Sequence, residues 1–99
     1  MKFVVSYTQR PGTTFEDSKK AMDVYSKWTP SPSITFREFV QRVDGRGGFA
    51  VVETDDPAGL LRDAMTFSPW LEFETHAVLD AADAMPVQSE VTELLASIL

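Results

Sequence analysis

Glu72, Glu74 and His76 stand at alternate positions of one β-patterned stretch, Trp70 to Leu79. Alternate residues of a strand point to one side of a sheet, so two carboxylates and the only histidine share a face. An imidazole and a carboxylate held together can pass a proton to and from a substrate, and a cleft that withdraws them from water tunes both for that task. A solvated polar face is the plainer account of the same row. A divalent ion is a third use for His and carboxylate ligands, but one histidine is a poor start for such a site, and no metal is assigned. Glu53 closes the apolar run Phe49 to Val52. Buried there, its carboxyl would titrate high and act as a base or ligand anchor; the plainer role is to pin the following turn. Glu53, Glu74 and His76 are the catalytic candidates.

The substrate-binding candidates are aromatic, with one cation. Tyr7, Trp28, Phe39 and Trp70 can line a pocket for a flat ligand, although packing in the core explains such residues equally well. Arg37 can clamp an anionic ligand or pair with Glu53 or Glu74 across the sheet. Asp55 and Asp56 resemble a carboxylate pair, but Asp before Pro57 is a helix-capping pattern: the carboxylate accepts from an orphan N–H and proline lacks nothing it needs at the first helical position. Gly45-Arg46-Gly47-Gly48 joins two strands and is followed by no Lys-Ser/Thr, so it is no phosphate loop. There is no Gly-x-Ser-x-Gly and no cysteine nucleophile.

Positioning these residues falls to one domain of 99 residues, with a core of residues 1–79 and a helical tail of residues 80–99. Hydrophobic residues are 43% and charged ones 24%, an ordinary globular balance. A net charge of −6 repels phosphate backbones and anionic lipid alike, so nucleic-acid and membrane partners are not expected. No segment is apolar enough for a signal peptide or a membrane span, and a cytoplasmic location is the expectation. The absence of cysteine removes disulfides and thiolate metal sites.

Lys2 to Gln9 alternates like a strand, and Arg10-Pro11-Gly12 ends it. Thr13 with Glu16 is a capping-box pattern and predicts a helix through Lys27. Two prolines stiffen Thr29 to Ser33. Ile34 to Val43 predicts a long strand with two mixed faces, suited to an edge or to meeting a partner, and Asp44 to Gly48 a hairpin loop. Phe49 to Val52 reads as a central strand, and Leu60, Leu61, Ala64 and Phe67 recur at helical spacing after Pro57. Trp70 to Leu79 is the last strand. Asp80 to Ala84 predicts a short turn or helical piece, and Pro86 opens a closing helix with the stripe Val87, Val91, Leu94, Leu95 and Ile98.

The order β-α-β-β-α-β with two right-handed crossovers predicts a ferredoxin-like α+β sandwich with a C-terminal helix. Helices cover one face of such a sheet. The bare face, carrying Glu72, Glu74 and His76, needs water, the tail or a second copy against it.

Val51-Val52-Glu53-Thr54-Asp55-Asp56-Pro57, with Trp70 and Phe73-Glu74, resembles a group of small bacterial and archaeal domains of unknown function. The resemblance spans most of residues 1–79. It implies a dimeric α+β barrel, broadly akin to the antibiotic-biosynthesis monooxygenases, in which two sheets meet face to face. That superfamily includes cofactor-free oxygenases, haem-degrading enzymes, cyclases and plain binding modules. The resemblance implies a homodimer through the open sheet face; a hydrophobic, aromatic or polyketide-like small molecule is the ligand that the first functional expectation takes. No catalytic motif of the superfamily matches residue by residue, and no cofactor is assigned. A monooxygenase- or cyclase-like enzyme, a non-catalytic binding or regulatory module and a purely structural assembly protein are the functional expectations.

Overall fold

Alternating apolar residues near the N-terminus and a β-branched run after the glycine loop build the two central strands. In the computed structural model, which describes residues 1–99, β1 (Lys2–Gln9) and β3 (Gly47–Glu53) pair antiparallel, with Val4 opposite Val51 and Ser6 opposite Phe49. On the far side of β1 lies β4 (Leu71–Val78), with Ser6 opposite Glu74 and Val4 opposite His76. On the far side of β3 lies β2 (Thr35–Gln41), completing a four-stranded antiparallel sheet of order β2-β3-β1-β4. Two crossover helices, α1 (Phe15–Lys27) and α2 (Pro57–Phe67), and a terminal α3 (Ala81–Ile98) make the order β-α-β-β-α-β-α. This is a ferredoxin-like α+β fold.

Local chemistry moves some boundaries. The capping box of α1 sits one residue later than Thr13 and Glu16 predict: the Thr14 hydroxyl accepts from the Asp17 N–H at 3.1 Å, and the Asp17 carboxylate accepts from the Thr14 N–H at 3.1 Å. The Thr13 hydroxyl is already engaged, donating to the Arg10 carbonyl at 2.6 Å and closing the turn after β1. Asp56 is the N-cap of α2, yet its carboxylate takes the Ser33 hydroxyl at 2.6 Å, tying the proline linker to the helix start. The tail differs most. Of the two forms expected for Asp80 to Ala84 the helical one is present, but no separate helix opens at Pro86: α3 runs unbroken from Ala81 with Pro86 inside it. Proline removes one i→i−4 bond and its ring crowds the carbonyl four residues back, and here the helix continues past both.

β2 explains why its sequence shows two mixed faces. Phe36 is opposite Val52 and Glu38 is opposite Val51, so Arg37 is the extra residue of a β-bulge. The bulge flips the alternation, and Phe36 and Phe39, assigned to opposite faces by a regular strand, both turn toward the helices with rings 5.9 Å apart.

Burial is thin. Nine of 99 residues are buried, and the apolar ones are Ile34, Ala50, Val52 and Phe67. Phe3, Val5, Phe36 and Leu60 pack partly buried around the first three. α3 contributes no buried residue. It leaves the body of the molecule, which measures 60 Å along its long axis against 29 and 21 Å across. The radius of gyration, 17.7 Å, exceeds the roughly 13 Å of a compact chain of this length. At its root the Lys2 ammonium pairs with the Asp80 carboxylate. No helix is long and apolar enough to cross a membrane.

Candidate functional site

The side of the sheet that faces the helices is apolar because β1, β3 and β4 each direct alternate residues there. Val5, Tyr7, Ala50, Val52 and Phe73 form a floor, and α1 and α2 stand far enough above it to leave a cavity of about 350 Å³. Tyr25 of α1, Trp28 just beyond it, and Leu60, Ala64 and Phe67 of α2 form the walls. The rings touch in sequence around the space. Trp28 meets Phe67 edge-on at 5.1 Å and Phe36 edge-on at 6.5 Å. Tyr7 lies 6.0 Å from Phe39 and 6.2 Å from Phe73. Edge-to-face and tilted pairs at these separations are the favoured aromatic geometries. Polar groups enter chiefly at one end, where Gln9, Gln41, Gly45, Trp70 and Leu71 meet.

Two polar features sit in the apolar lining. The Tyr7 hydroxyl is buried and has no hydrogen-bond partner in the protein. Burial pushes its pKa up, so the phenol stays protonated. It fits only because residue 48 is glycine: a Cβ there would lie 2.4 Å from the Tyr7 oxygen and 2.3 Å from the Val40 carbonyl oxygen. Asp63 of α2 is the cavity's one carboxylate. It accepts from the Ser31 N–H at 3.2 Å and from the Ser31 hydroxyl at 2.9 Å, while Arg62 donates to that hydroxyl at 3.2 Å. Ser31 is buried, so this cluster clamps the proline linker onto α2.

Four of the five residues expected to bind substrate, Tyr7, Trp28, Phe39 and Trp70, line this cavity. Arg37 does not. From its bulge it reaches Glu53, with Nη2 to Oε2 at 2.8 Å, the first of the two pairings its position allowed. Glu53 is only partly shielded, and the Arg37 hydrogen bond holds its carboxyl below the usual range, opposite to the raised value expected of a buried acid. Glu74 and His76 lie on the open face, each more than half exposed, with His76 Nε2 3.8 Å from Glu74 Oε2. Glu72 reaches Arg10 at 3.7 Å. The aromatic candidates and the ionisable candidates therefore sit on opposite sides of one sheet. No group of three or more His, Cys, Asp or Glu side chains stands close enough to hold a metal ion.

Sequence reasoning missed Asp63, Phe36, Phe67, Phe73 and Tyr25 as cavity residues. Tyr25 and Phe67 were visible in helical stripes and Phe73 in the apolar face of β4, but a stripe does not distinguish a filled core from a hollow one. Asp63 carried no signal, since a lone carboxylate on a helix is ordinary.

No curated protein matches the chain. The chain does match a family model over residues 1–92, nearly its whole length, and so belongs to the domain of unknown function family DUF3303.

Proposed function

We propose that this protein binds a hydrophobic, aromatic small molecule in the cavity between its sheet and its helices, and does so as a homodimer. The observation that carries the reading is the cavity of about 350 Å³ walled by aromatic rings in a chain that buries so little else. That volume lies within the usual range for ligand sites, which are apolar spaces with few polar groups. A polyketide-like or other polycyclic body suits the ring-lined walls.

The dimer follows from two unpartnered apolar surfaces. The open face carries Val4, Val40, Phe49 and Val51 at its centre, with Val40 and Phe49 exposed. α3 presents Val87, Val91, Leu94, Leu95 and Ile98, all exposed. A stable interface takes about 800 Å² from each partner. Four short strands offer a footprint of roughly 500 Å², and one side of an 18-residue helix adds roughly 270 Å². The sheet face and α3 together approach what a dimer requires, and either alone falls short. Two copies meeting face to face form the α+β barrel of the antibiotic-biosynthesis-monooxygenase superfamily.

A second reading, a monooxygenase- or cyclase-like enzyme, is favoured by the His76–Glu74 pair. In a face-to-face dimer that pair and Glu53 lie between the two sheets, so their proton chemistry belongs to a space distinct from the aromatic cavity. Replacing His76 and Glu74 together by alanine and glutamine should then abolish turnover of a substrate held between the two sheets while the dimer survives.

The binding reading is tested by titrating the protein with phenylnaphthylamine, an uncharged fluorescent aromatic. Trp28 and Trp70 are the chain's two tryptophans and both line the cavity, so bound dye should quench them by energy transfer. Saturable binding with transfer is expected, and Ala64→Phe, which fills the cavity from α2, should weaken it about tenfold or more. A dye that never binds, or binds as well to a folded Ala64→Phe variant, refutes the reading.

A further inference from the structure

At the end of the sheet where β1 and β2 finish and β3 begins, the apolar cavity adjoins a polar cleft of about 420 Å³. The two spaces share Gln9 and Thr13 in their walls. No hydrophobic residue lines the cleft, and three arginines do: Arg10, Arg42 and Arg46. The chain has only five arginines and a net charge of −6, so this convergence concentrates positive charge at one place on an acidic molecule.

The three differ in what holds them. Arg10 donates from Nε to the Ser68 carbonyl at 2.6 Å and faces Glu72 at 3.7 Å, which fixes it against the α2–β4 connection. Arg42 pairs with the Asp44 carboxylate across the β2–β3 turn. Arg46 has neither an ion pair nor a side-chain hydrogen bond; only its backbone is engaged, its N–H donating to Asp44 at 3.0 Å and its carbonyl accepting from the Gln9 N–H at 3.0 Å. Gly45, at a φ of +74°, makes the tight turn that sets Arg46 beside the cleft. The backbone of Arg46 is therefore anchored while its guanidinium keeps all its donors free. A planar guanidinium with free donors is suited to a carboxylate or sulfonate, which it can grip with two parallel bonds.

We propose that the ligand is an amphipathic organic anion, with its aromatic body in the cavity and a single carboxylate- or sulfonate-type head at Arg46, supported by Arg42. This rests on the cavity reading above and adds to it the charge and the orientation of the ligand. The counterweight is the carboxylates Asp44 and Glu72 near the same cleft: Glu72 faces Arg10, and Asp44 pairs with Arg42 while also feeling the Arg46 charge, so three arginines stand against two carboxylates and one net positive charge remains, with Arg46 the guanidinium that no carboxylate bonds.

The test uses two dyes with the same rings, anilinonaphthalene sulfonate and uncharged phenylnaphthylamine, on wild type, Arg46→Gln and Arg42→Gln/Arg46→Gln. Energy transfer from Trp28 and Trp70 reports occupancy of the cavity, and melting temperature reports that each variant is folded. Arg46→Gln should weaken the sulfonate dye about tenfold, the double variant more, with phenylnaphthylamine unchanged. Raised salt should weaken the sulfonate dye alone. If both dyes bind and neither responds to the arginine substitutions, the head-group assignment is overturned and the cavity stands. Equal weakening of both dyes also overturns it, because the hairpin then shapes the cavity without reading charge. If neither dye binds the wild type, both readings fall.

Discussion

Tyr7→Phe removes one oxygen and should make the protein more stable. A buried hydroxyl without a partner costs about 1–3 kcal/mol, because it gives up its bonds to water and gains none. The phenyl ring keeps the contacts at 6.0 Å to Phe39 and 6.2 Å to Phe73 that hold the side chain in place. The expected gain is therefore about 1 kcal/mol or more, with about 3 kcal/mol as its ceiling. In a chain of this size each kcal/mol moves the melting temperature by about 4–8 °C. Urea unfolding followed by tryptophan fluorescence measures it, at one fixed protein concentration so that association contributes equally to both proteins. Gly48→Ala is the companion. Its Cβ would sit 2.3 Å from the Val40 carbonyl oxygen and 2.4 Å from the Tyr7 oxygen, so overpacking should cost about 1–3 kcal/mol or more. In the double variant the Tyr7 oxygen is gone and only the backbone clash and the ring contact remain, so the two effects should not add. A loss of about 1 kcal/mol or more in Tyr7→Phe would mean that the hydroxyl has a partner, and the description of the packing around Gly48 would be wrong.

Other perturbations address the rest of the molecule. Asp63→Ala should cost about 1–3 kcal/mol in urea unfolding, because the buried Ser31 loses its acceptor and the linker its tie to α2. The Glu53 carboxyl is held below its ordinary value of 4.5, chiefly by the hydrogen bond from Arg37. A depressed native pKa contributes stability above the unfolded value, and that contribution is lost as pH falls through the native one. Melting temperature should accordingly fall below pH 4.5, and Glu53→Gln should flatten that acid limb while running parallel to wild type at neutral pH; an unchanged limb refutes the pairing. Ending the chain at Leu79 removes α3, which buries nothing of its own. The truncated chain should keep its far-ultraviolet strand signature and lose its dimer in native mass spectrometry; a dimer that persists takes α3 out of the interface.

The fold was legible because its signals are local and consistent. The strand alternation of Lys2 to Gln9, the Asp56-Pro57 helix start and the turn glycines each depend on a few neighbouring residues, and each formed its element. The lining of the cavity was half legible. Tyr7, Trp28, Phe39 and Trp70 could be named because large rings must go somewhere, but whether rings meet or surround a space depends on the separation of helices from sheet. That separation is tertiary and leaves no periodic trace. The bulge at Arg37 was hidden for a similar reason: an inserted residue looks like a strand with mixed faces, and only the partner strand shows where the register slips. The expected charge state of Glu53 reversed because strand position suggested burial, whereas the cation beside it settled the sign. The separate helix start expected at Pro86 did not appear: the helical piece before it joins the tail helix, which continues past the proline's missing donor and crowded ring.

The thin core would make folding, the proposed dimerisation and the proposed ligand binding parts of one balance. A domain of this length ordinarily closes its ledger of entropy and burial with only about 5–15 kcal/mol in hand. Here many of the large apolar side chains that would supply that margin stand around a cavity or along a free helix. Each of these is a place where an outside partner can restore burial, and the two are spatially separate. A ligand present at about a hundred times its dissociation constant adds about 2.7 kcal/mol to the folded state. A second copy adds a term that grows with the logarithm of protein concentration. Because the surfaces do not overlap, the two effects should add: melting temperature should rise with protein concentration at every ligand concentration, and with ligand at every protein concentration, by the same increments. Phenylnaphthylamine and a dilution series in scanning calorimetry provide the grid. Increments that cancel would mean that the dye and the second copy compete for one surface, with α3 of the partner seated in the cavity, and the separation of binding site from interface argued from the two faces of the sheet would be refuted.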